Sequence, residues 1–511
     1  MKHIKKLASL LLVLVMALSL AVTAFADEPT TYSITINNST AGHTYEAYQI
    51  FTGDLHEGVL SNIKWGSSVS EAGQAALGDA AAKAETLKNE ADAKAFAKAV
   101  APYLTTVAGS ANTVTDGKYV ISGLAAGYYL VKDKDGSLTG NADAYTEYII
   151  KVVSDTTATP KSSVPTVEKK VKDTNDSTGV TSGWQDSADY DIGDSIPFQL
   201  KATLANNVSS YTTYKVVFHD TLSKGLTYNG DAKVYIGGTE TNGFTVTSTV
   251  NADGTTTLTV SCDDVKALGA GNSSEITVEY TATLNENAVL GSAGNPNEVY
   301  LEYSNNPNKS EAGNNETGNT PKDTVIVFTY KTIINKVDSE NEPLTGAAFK
   351  LEKLIKGKDG AADTWTTVKE FTVDETTTTF TFSGLDDGQY KLTETKTPAG
   401  YNTIDPIYFV IEATHDETAD APALNTLNAY LTEANGNKKT EMKEGVSVNI
   451  DLGTVDLAAG SITTTVVNKA GSTLPSTGGI GTTIFYVLGG VLVLAAVVLL
   501  VTKKRMSGAE M

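Results

Sequence analysis

The chain has 511 residues, 41% of them apolar and 19% charged, with a net charge of −21. That length suits about three domains of ordinary size after the ends are set aside, and the acidic excess excludes a nucleic-acid partner, because phosphate binding needs clustered Lys and Arg. Cys262 is the single cysteine, so no intrachain disulfide is available. The five histidines (His3, His43, His56, His219, His415) are scattered without the spacing of a Cys/His cluster, so structural zinc is not expected, nor any other metal or cofactor.

The first stretch, "MKHIKKLASLLLVLVMALSLAVTAFA", has a basic start, a short apolar run and small residues at Ala24 and Ala26, the pattern of a signal peptide over 1–26. From Asp27 onward the sequence is rich in Thr, Val, Tyr and Gly in short alternating runs broken by Asn, Asp and Gly, which predicts an all-β chain of tandem antiparallel sandwiches. The exception is Glu71 to Leu104, dense in Ala, Lys and Glu, a helical insertion in a first domain of 27–164. "SDTTATPKSSVPT" (Ser154 to Thr166) reads as a linker to a middle domain of 165–330, within which Asn305 to Asp323 reads as a polar, mobile loop. A third domain spans 331–473, and its "FSGLDDGQYKLTE" (Phe382 to Glu394) repeats "ISGLAAGYYLVKD" (Ile121 to Asp133), a β-turn-β device used twice. At 474–511, "LPSTGG" precedes an apolar run from Ile484 to Val501 and a basic tail, Lys503, Lys504 and Arg505, long enough to cross a bilayer with the tail inside.

Strand alternation brings charged groups onto apolar faces. In "YKLTE", Tyr390, Leu392 and Glu394 share a face; Lys336 is in phase with Ile334, and Asn468 with Val466, Thr464 and Ile462. The middle domain offers a second set: Lys169 in phase with Val167 and Val171, Asp220 with Val216, Phe218 and Leu222, and Asn297 with Val299, Leu301 and Tyr303. Lys170 is the alternative amine and Glu279 a rival acid, but alternation points both outward. Singly, each residue is an ordinary strand-end group reaching solvent. Together they suit amide formation between side chains: burial neutralises the amine and keeps the acid protonated, so Glu394 or Asp220 acts once as general acid/base while Lys attacks Asn and ammonia leaves. In this reading Glu394 donates to the Asn468 carbonyl. The first domain has Asp133 at the acid position but no lysine in "YSITINN", so no crosslink is expected there.

These residues resemble the sortase-assembled backbone pilins of Gram-positive bacteria, built from Ig-like domains of the collagen-adhesin B type. "YKLTETKTPAGY" is similar to that family's E box, "KVDSENEPLTGAAFKL" to its first hairpin, and the pentapeptide, apolar span and basic tail to its cell-wall sorting signal. The resemblance implies Lys336–Asn468 and Lys169–Asn297 isopeptide bonds, assisted by Glu394 and Asp220. It implies a sorting motif of Leu474, Pro475, Ser476, Thr477 and Gly478, cut after Thr477, and a polymerisation lysine at Lys161, where "ATPKSS" has Thr159 in place of the family's tyrosine. Implied partners are a class C pilus sortase, a housekeeping sortase, identical subunits joined head to tail, minor pilins and peptidoglycan, at the cell surface. A singly displayed adhesin or tip pilin shares every feature except the need for Lys161. A secreted enzyme with accessory sandwiches is disfavoured, since neither a Ser/His/Asp arrangement nor metal-ligand spacing is visible.

Overall fold

The computed structural model describes residues 30–160, 163–358, 360–444, 446–471 and 480–506. Alternation drives the architecture: in Ser195–Thr203 and Glu275–Leu284 every second side chain is buried, so each strand offers one apolar face to a facing sheet. Mostly β sandwiches follow one another along the chain, with short helices in the first and an apolar helix at the end.

In the N-terminal unit, a three-stranded sheet (Lys118–Leu124, Tyr32–Asn37, Thr156–Ala158) faces a five-stranded sheet led by Tyr45–His56 and Gly127–Asp133. The Ala-rich segment forms Glu71–Leu77, Ala80–Glu85 and Glu90–Val100. Ser70, Asp79 and Asn89 each cap an N-terminus by accepting a backbone N–H in the first turn. Phe96 stacks on Phe51 with ring centroids 5.4 Å apart, which closes the helices over the unit's own sheet.

The middle unit pairs a seven-stranded sheet containing Val216–Leu222 and Asn295–Ser304 with a six-stranded sheet containing Thr166–Val171, Ser195–Thr203 and Glu275–Leu284. Asn305 to Asp323 departs from the mobile loop expected of its composition. It makes short strand pairs, and fully buried Asn305 accepts from Tyr145 N and donates to Leu138 O and Asp143 O of the N-terminal unit. Polar composition there satisfies a joint between units rather than solvent, because buried amides need partners.

The C-terminal unit places Tyr330–Val337 beside Ser461–Val467 in parallel, so its first and last strands are neighbours, with Lys336 opposite Val466. The repeated β-turn-β segments are corners: Lys118–Leu124 and Gly127–Asp133 lie in opposite sheets, as do Thr379–Leu385 and Gly388–Lys396. Each corner turns on a glycine in the left-handed region, Gly123 at φ 75° and Gly384 at φ 76°.

The two glycines differ in surroundings. A Cβ on Gly384 would sit 2.5 Å from Ile192 of the middle unit, whereas a Cβ on Gly123 meets nothing within 4 Å. Gly123→Ala should therefore cost only backbone strain, about 1 kcal/mol, and Gly384→Ala about 1–3 kcal/mol more, read as the difference in denaturant midpoints at unchanged slope.

Candidate functional site

In the middle unit, Lys169 projects from one sheet toward Asp220 and Asn297 on adjacent strands of the other, where Leu222 pairs with Asn297 and Asp220 with Val299. Lys169, Asp220 and Asn297 are wholly buried. The Lys169 Nζ donates to Asp220 Oδ1 at 2.5 Å and to the Tyr280 hydroxyl at 3.1 Å, and lies 5.4 Å from the ring centroids of both Phe198 and Tyr280. Tyr280 donates to Asp220 Oδ2 and accepts from Asn297 Nδ2 at 2.8 Å, so it links the acid to the amide. The Asn297 Oδ1 is buried with no hydrogen-bond partner. Burial pushes the Lys169 amine down against the pull of Asp220, and pushes the Asp220 carboxyl up against the pull of Lys169. Both shifts favour moving the proton from amine to acid.

The rivals are placed elsewhere. Lys170 is half-exposed and paired with Asp186 at 2.5 Å; half-buried Glu279 accepts from Gln199 at 2.9 Å.

In the C-terminal unit the same three residue types converge differently. Asn468 Nδ2 donates to both oxygens of Glu394, at 3.0 and 3.1 Å, and to Asn402 O. The Lys336 Nζ bonds Val337 O at 2.7 Å and Val466 O at 3.2 Å rather than the acid. Val337 O also accepts from Asn468 N, so a shared carbonyl brings the amine to the segment carrying the amide. Lys336 is buried, and burial lowers its pKa against the pull of Glu394. Glu394 accepts further bonds from Thr397 Oγ1 and Ile404 N. The expected donation from a protonated Glu394 to the Asn468 carbonyl is absent from this arrangement; the amide nitrogen faces the acid, and Asn468 Oδ1 is the buried orphan.

In the N-terminal unit Asp133 is buried and holds a histidine. His43 Nδ1 is 2.7 Å from Asp133 and Nε2 is 3.1 Å from Asp143, while Thr146 donates to Asp133 through both its N–H and its hydroxyl. Lys161 and the sorting motif Leu474, Pro475, Ser476, Thr477 and Gly478 lie outside the described residues. Beyond the motif, Ile480–Met506 is one helix whose stretch Tyr486–Lys503, with mean hydropathy 2.3, is long and apolar enough to cross a membrane.

Sequence reasoning missed Tyr280. A signal was present, because a tyrosine hydroxyl in a dry core requires a partner.

Tandem sandwiches ahead of an apolar C-terminal helix have the layout of a surface protein tethered at its C-terminus. Family models agree: residues 192–307 match the Gram-positive pilin backbone subunit 2, Cna-B-like domain, 331–423 the prealbumin-like fold domain, and 466–507 the LPXTG cell wall anchor motif. The trypsin-resistant surface T6 protein of Streptococcus pyogenes serotype M6 is 24% identical over 445 residues, 76% of this chain and 77% of that protein. The solved T6 backbone pilin superposes with a TM-score of 0.56 at 19% identity, over 87% of this chain and 100% of that one. The major pilin SpaD from Corynebacterium diphtheriae gives a TM-score of 0.49 at 18% identity, over 88% and 99%. The chain thus carries, in order, the Cna-B-like domain, the prealbumin-like domain and the LPXTG cell wall anchor found in Gram-positive backbone pilins.

The His43 pair sets a pH dependence. Burial lowers the imidazole pKa, but hydrogen bonds to Asp133 and Asp143 outweigh it and raise it to about 9. A raised histidine contributes stability that is complete below about 6.5 and is lost as pH passes through about 9. The N-terminal unit should lose on the order of 3 kcal/mol between pH 6 and 10 by this pair, and His43→Gln should flatten that slope in pH-dependent denaturant unfolding.

Proposed function

We propose that this chain is the shaft subunit of a covalently polymerised pilus, welded internally by Lys169–Asn297 and Lys336–Asn468 isopeptide bonds and joined between subunits from Thr477 to Lys161. The observation that carries the reading is the buried array Lys169, Asp220, Tyr280 and Asn297: an amine pushed toward neutrality, an acid pushed toward protonation, and an amide held within the same hydrogen-bonded group.

The chemistry balances within the array. The neutral Nζ of Lys169 adds to Cγ of Asn297; protonated Asp220 gives its proton to the departing Nδ2 and takes in exchange the proton that Nζ sheds, so it ends as it began. The Cγ–Nδ2 bond breaks, ammonia leaves, and a Lys–Asn amide remains. Tyr280 holds Asp220 and Asn297 in register through its hydroxyl, so its part is positioning and proton relay. In the C-terminal unit Glu394 takes the role of Asp220, once a rotation of the Asn468 amide turns its carbonyl toward the acid.

The proposed domain limits are 27–164, 165–330 and 331–473, with the acceptor Lys161 near the end of the first, within the linker stretch Ser154 to Thr166. A linker is where an amine acceptor for a class C pilus sortase belongs, and a head-to-tail contact that does not close gives a fibre. A housekeeping sortase, minor pilins and peptidoglycan complete the proposed assembly.

Intact mass of the purified chain should fall short of the sequence mass by one ammonia per bond, two in all. Asn297→Ala and Asn468→Ala should each restore one, and Tyr280→Phe should slow loss of the first by about 10- to 100-fold after refolding. Full mass in the unaltered chain contradicts the crosslinks. Lys161→Arg should erase the polymer ladder on a denaturing gel while leaving both internal bonds; an unchanged ladder moves the acceptor elsewhere, and an absent ladder in the unaltered strain favours a singly displayed adhesin.

A further inference from the structure

The joint between the middle and C-terminal units carries an unusual concentration of carboxylates. Asp176, Asp191, Asp194 and Asp386 form one group, and Asp173, Asp189 and His415 another. The first is already served by a cation of the chain: Lys353 donates to Asp386, to Asp191 at 2.6 Å and to Asp176 at 3.2 Å.

The second group is different. His415 ends the strand Ile407–His415, and its Nε2 lies 3.5 Å from Asp173 Oδ2 and 3.8 Å from Asp189 Oδ1. Those separations are too long for well-made N–H···O bonds. His43 supplies the comparison within the same protein, since its two nitrogens approach Asp133 and Asp143 at 2.7 and 3.1 Å. Donor atoms about 2.0–2.2 Å from a tetrahedral zinc ion stand about 3.4 Å from one another, close to the spacing around His415 Nε2.

The ring is also oriented for ligation. Ser187 Oγ lies 2.7 Å from His415 Nδ1 and donates its single proton to Asp416 O at 2.5 Å. The hydroxyl must then accept from Nδ1–H, and in the neutral ring the lone pair falls on Nε2, facing the carboxylates. An outer-shell partner that fixes the tautomer in this way is the usual companion of a metal-bound histidine. The Tyr330 hydroxyl is also wholly buried and faces the charges of Asp189, Asp387 and Asp173, with Asp189 in hydrogen-bonding reach.

We propose that Asp173, Asp189 and His415 form a zinc-class divalent metal site that bridges the middle and C-terminal units. A neutral imidazole and two carboxylates balance a doubly charged ion, and N/O donors with one imidazole suit zinc better than calcium, which takes six to eight oxygens. Without an ion the two carboxylates face the ring directly, at the separations given above. The ligands come from both sides of the joint, so a bound ion ties the two units together.

The test uses the full chain in detergent, stripped with EDTA, dialysed, and re-equilibrated with micromolar Zn2+ before elemental analysis. It should retain about one zinc per chain, and Co2+ in its place should show the visible absorption of a four-coordinate site. His415→Gln and Asp173→Asn should each weaken zinc binding by 10- to 100-fold or more, while His43→Gln leaves it unchanged. Asp173 sits at the half-buried edge of the joint, so Asp173→Asn carries the test if His415→Gln does not fold. No retained zinc in the unaltered chain, zinc equally retained by Asp173→Asn, or a His415 ring still protonated on both nitrogens in the presence of Zn2+ would each overturn the proposal.

Discussion

The inner units are governed by ammonium groups shut into dry surroundings. A charge taken from water costs several kcal/mol, while an exposed ion pair returns about 0–1, so each buried lysine must be neutralised, heavily paired or consumed. Three lysines show how the surroundings decide. Lys353 meets three carboxylates, and although burial opposes it, their attraction prevails and its pKa rises; it is a fixed ion in the joint. Lys169 meets a single carboxylate and a phenol, and burial prevails. Lys336 bonds backbone carbonyls alone, and burial prevails again. The number of facing carboxylates separates a structural cation from an amine pushed toward neutrality.

Mechanics gives the proposed bonds their value. A fibre under tension fails at a rate set by unfolding, and covalent links between strands remove the step in which force strips one strand from its neighbour. In the C-terminal unit such a link would join first and last strands that already lie side by side. In the middle unit it would cross between sheets, from Thr166–Val171 to Asn295–Ser304, which pairs with the unit's last strand, Asp323–Phe328. By analogy with disulfides, closing loops of more than a hundred residues lowers the unfolded-state entropy by on the order of 4–5 kcal/mol each. The joints hold by other means: buried Asn305 between the first two units, and Lys353 with the carboxylates between the last two.

Strand periodicity made much of this legible. Lys169, Asp220, Asn297 and Lys336 all point inward because period-two alternation with Val, Phe and Leu leaves them no other face, and the same rule turned Lys170 and Glu279 outward. Tyr280 obeyed the rule but concealed its hydroxyl, since a tyrosine among apolar positions reads as core. The direction of the Asn468 amide depends on Thr397, Ile404 and Asn402, contributed by a loop whose path alternation does not specify. His415 and Asp173 were illegible for a simpler reason: no local spacing relates residues that meet only where two units dock. Asn305 was misjudged because polarity looks the same whether a side chain faces water or a neighbouring unit.

The central claim is that a dry pocket drives Lys169 to react with Asn297. Protease digestion of the purified chain followed by tandem mass spectrometry measures this directly, since a crosslink yields a branched peptide containing both residues. The account requires that branched species, with Lys169 joined to the side chain of Asn297 and ammonia lost. Recovery of the two residues in separate linear peptides, with Asn297 still an amide, would contradict it.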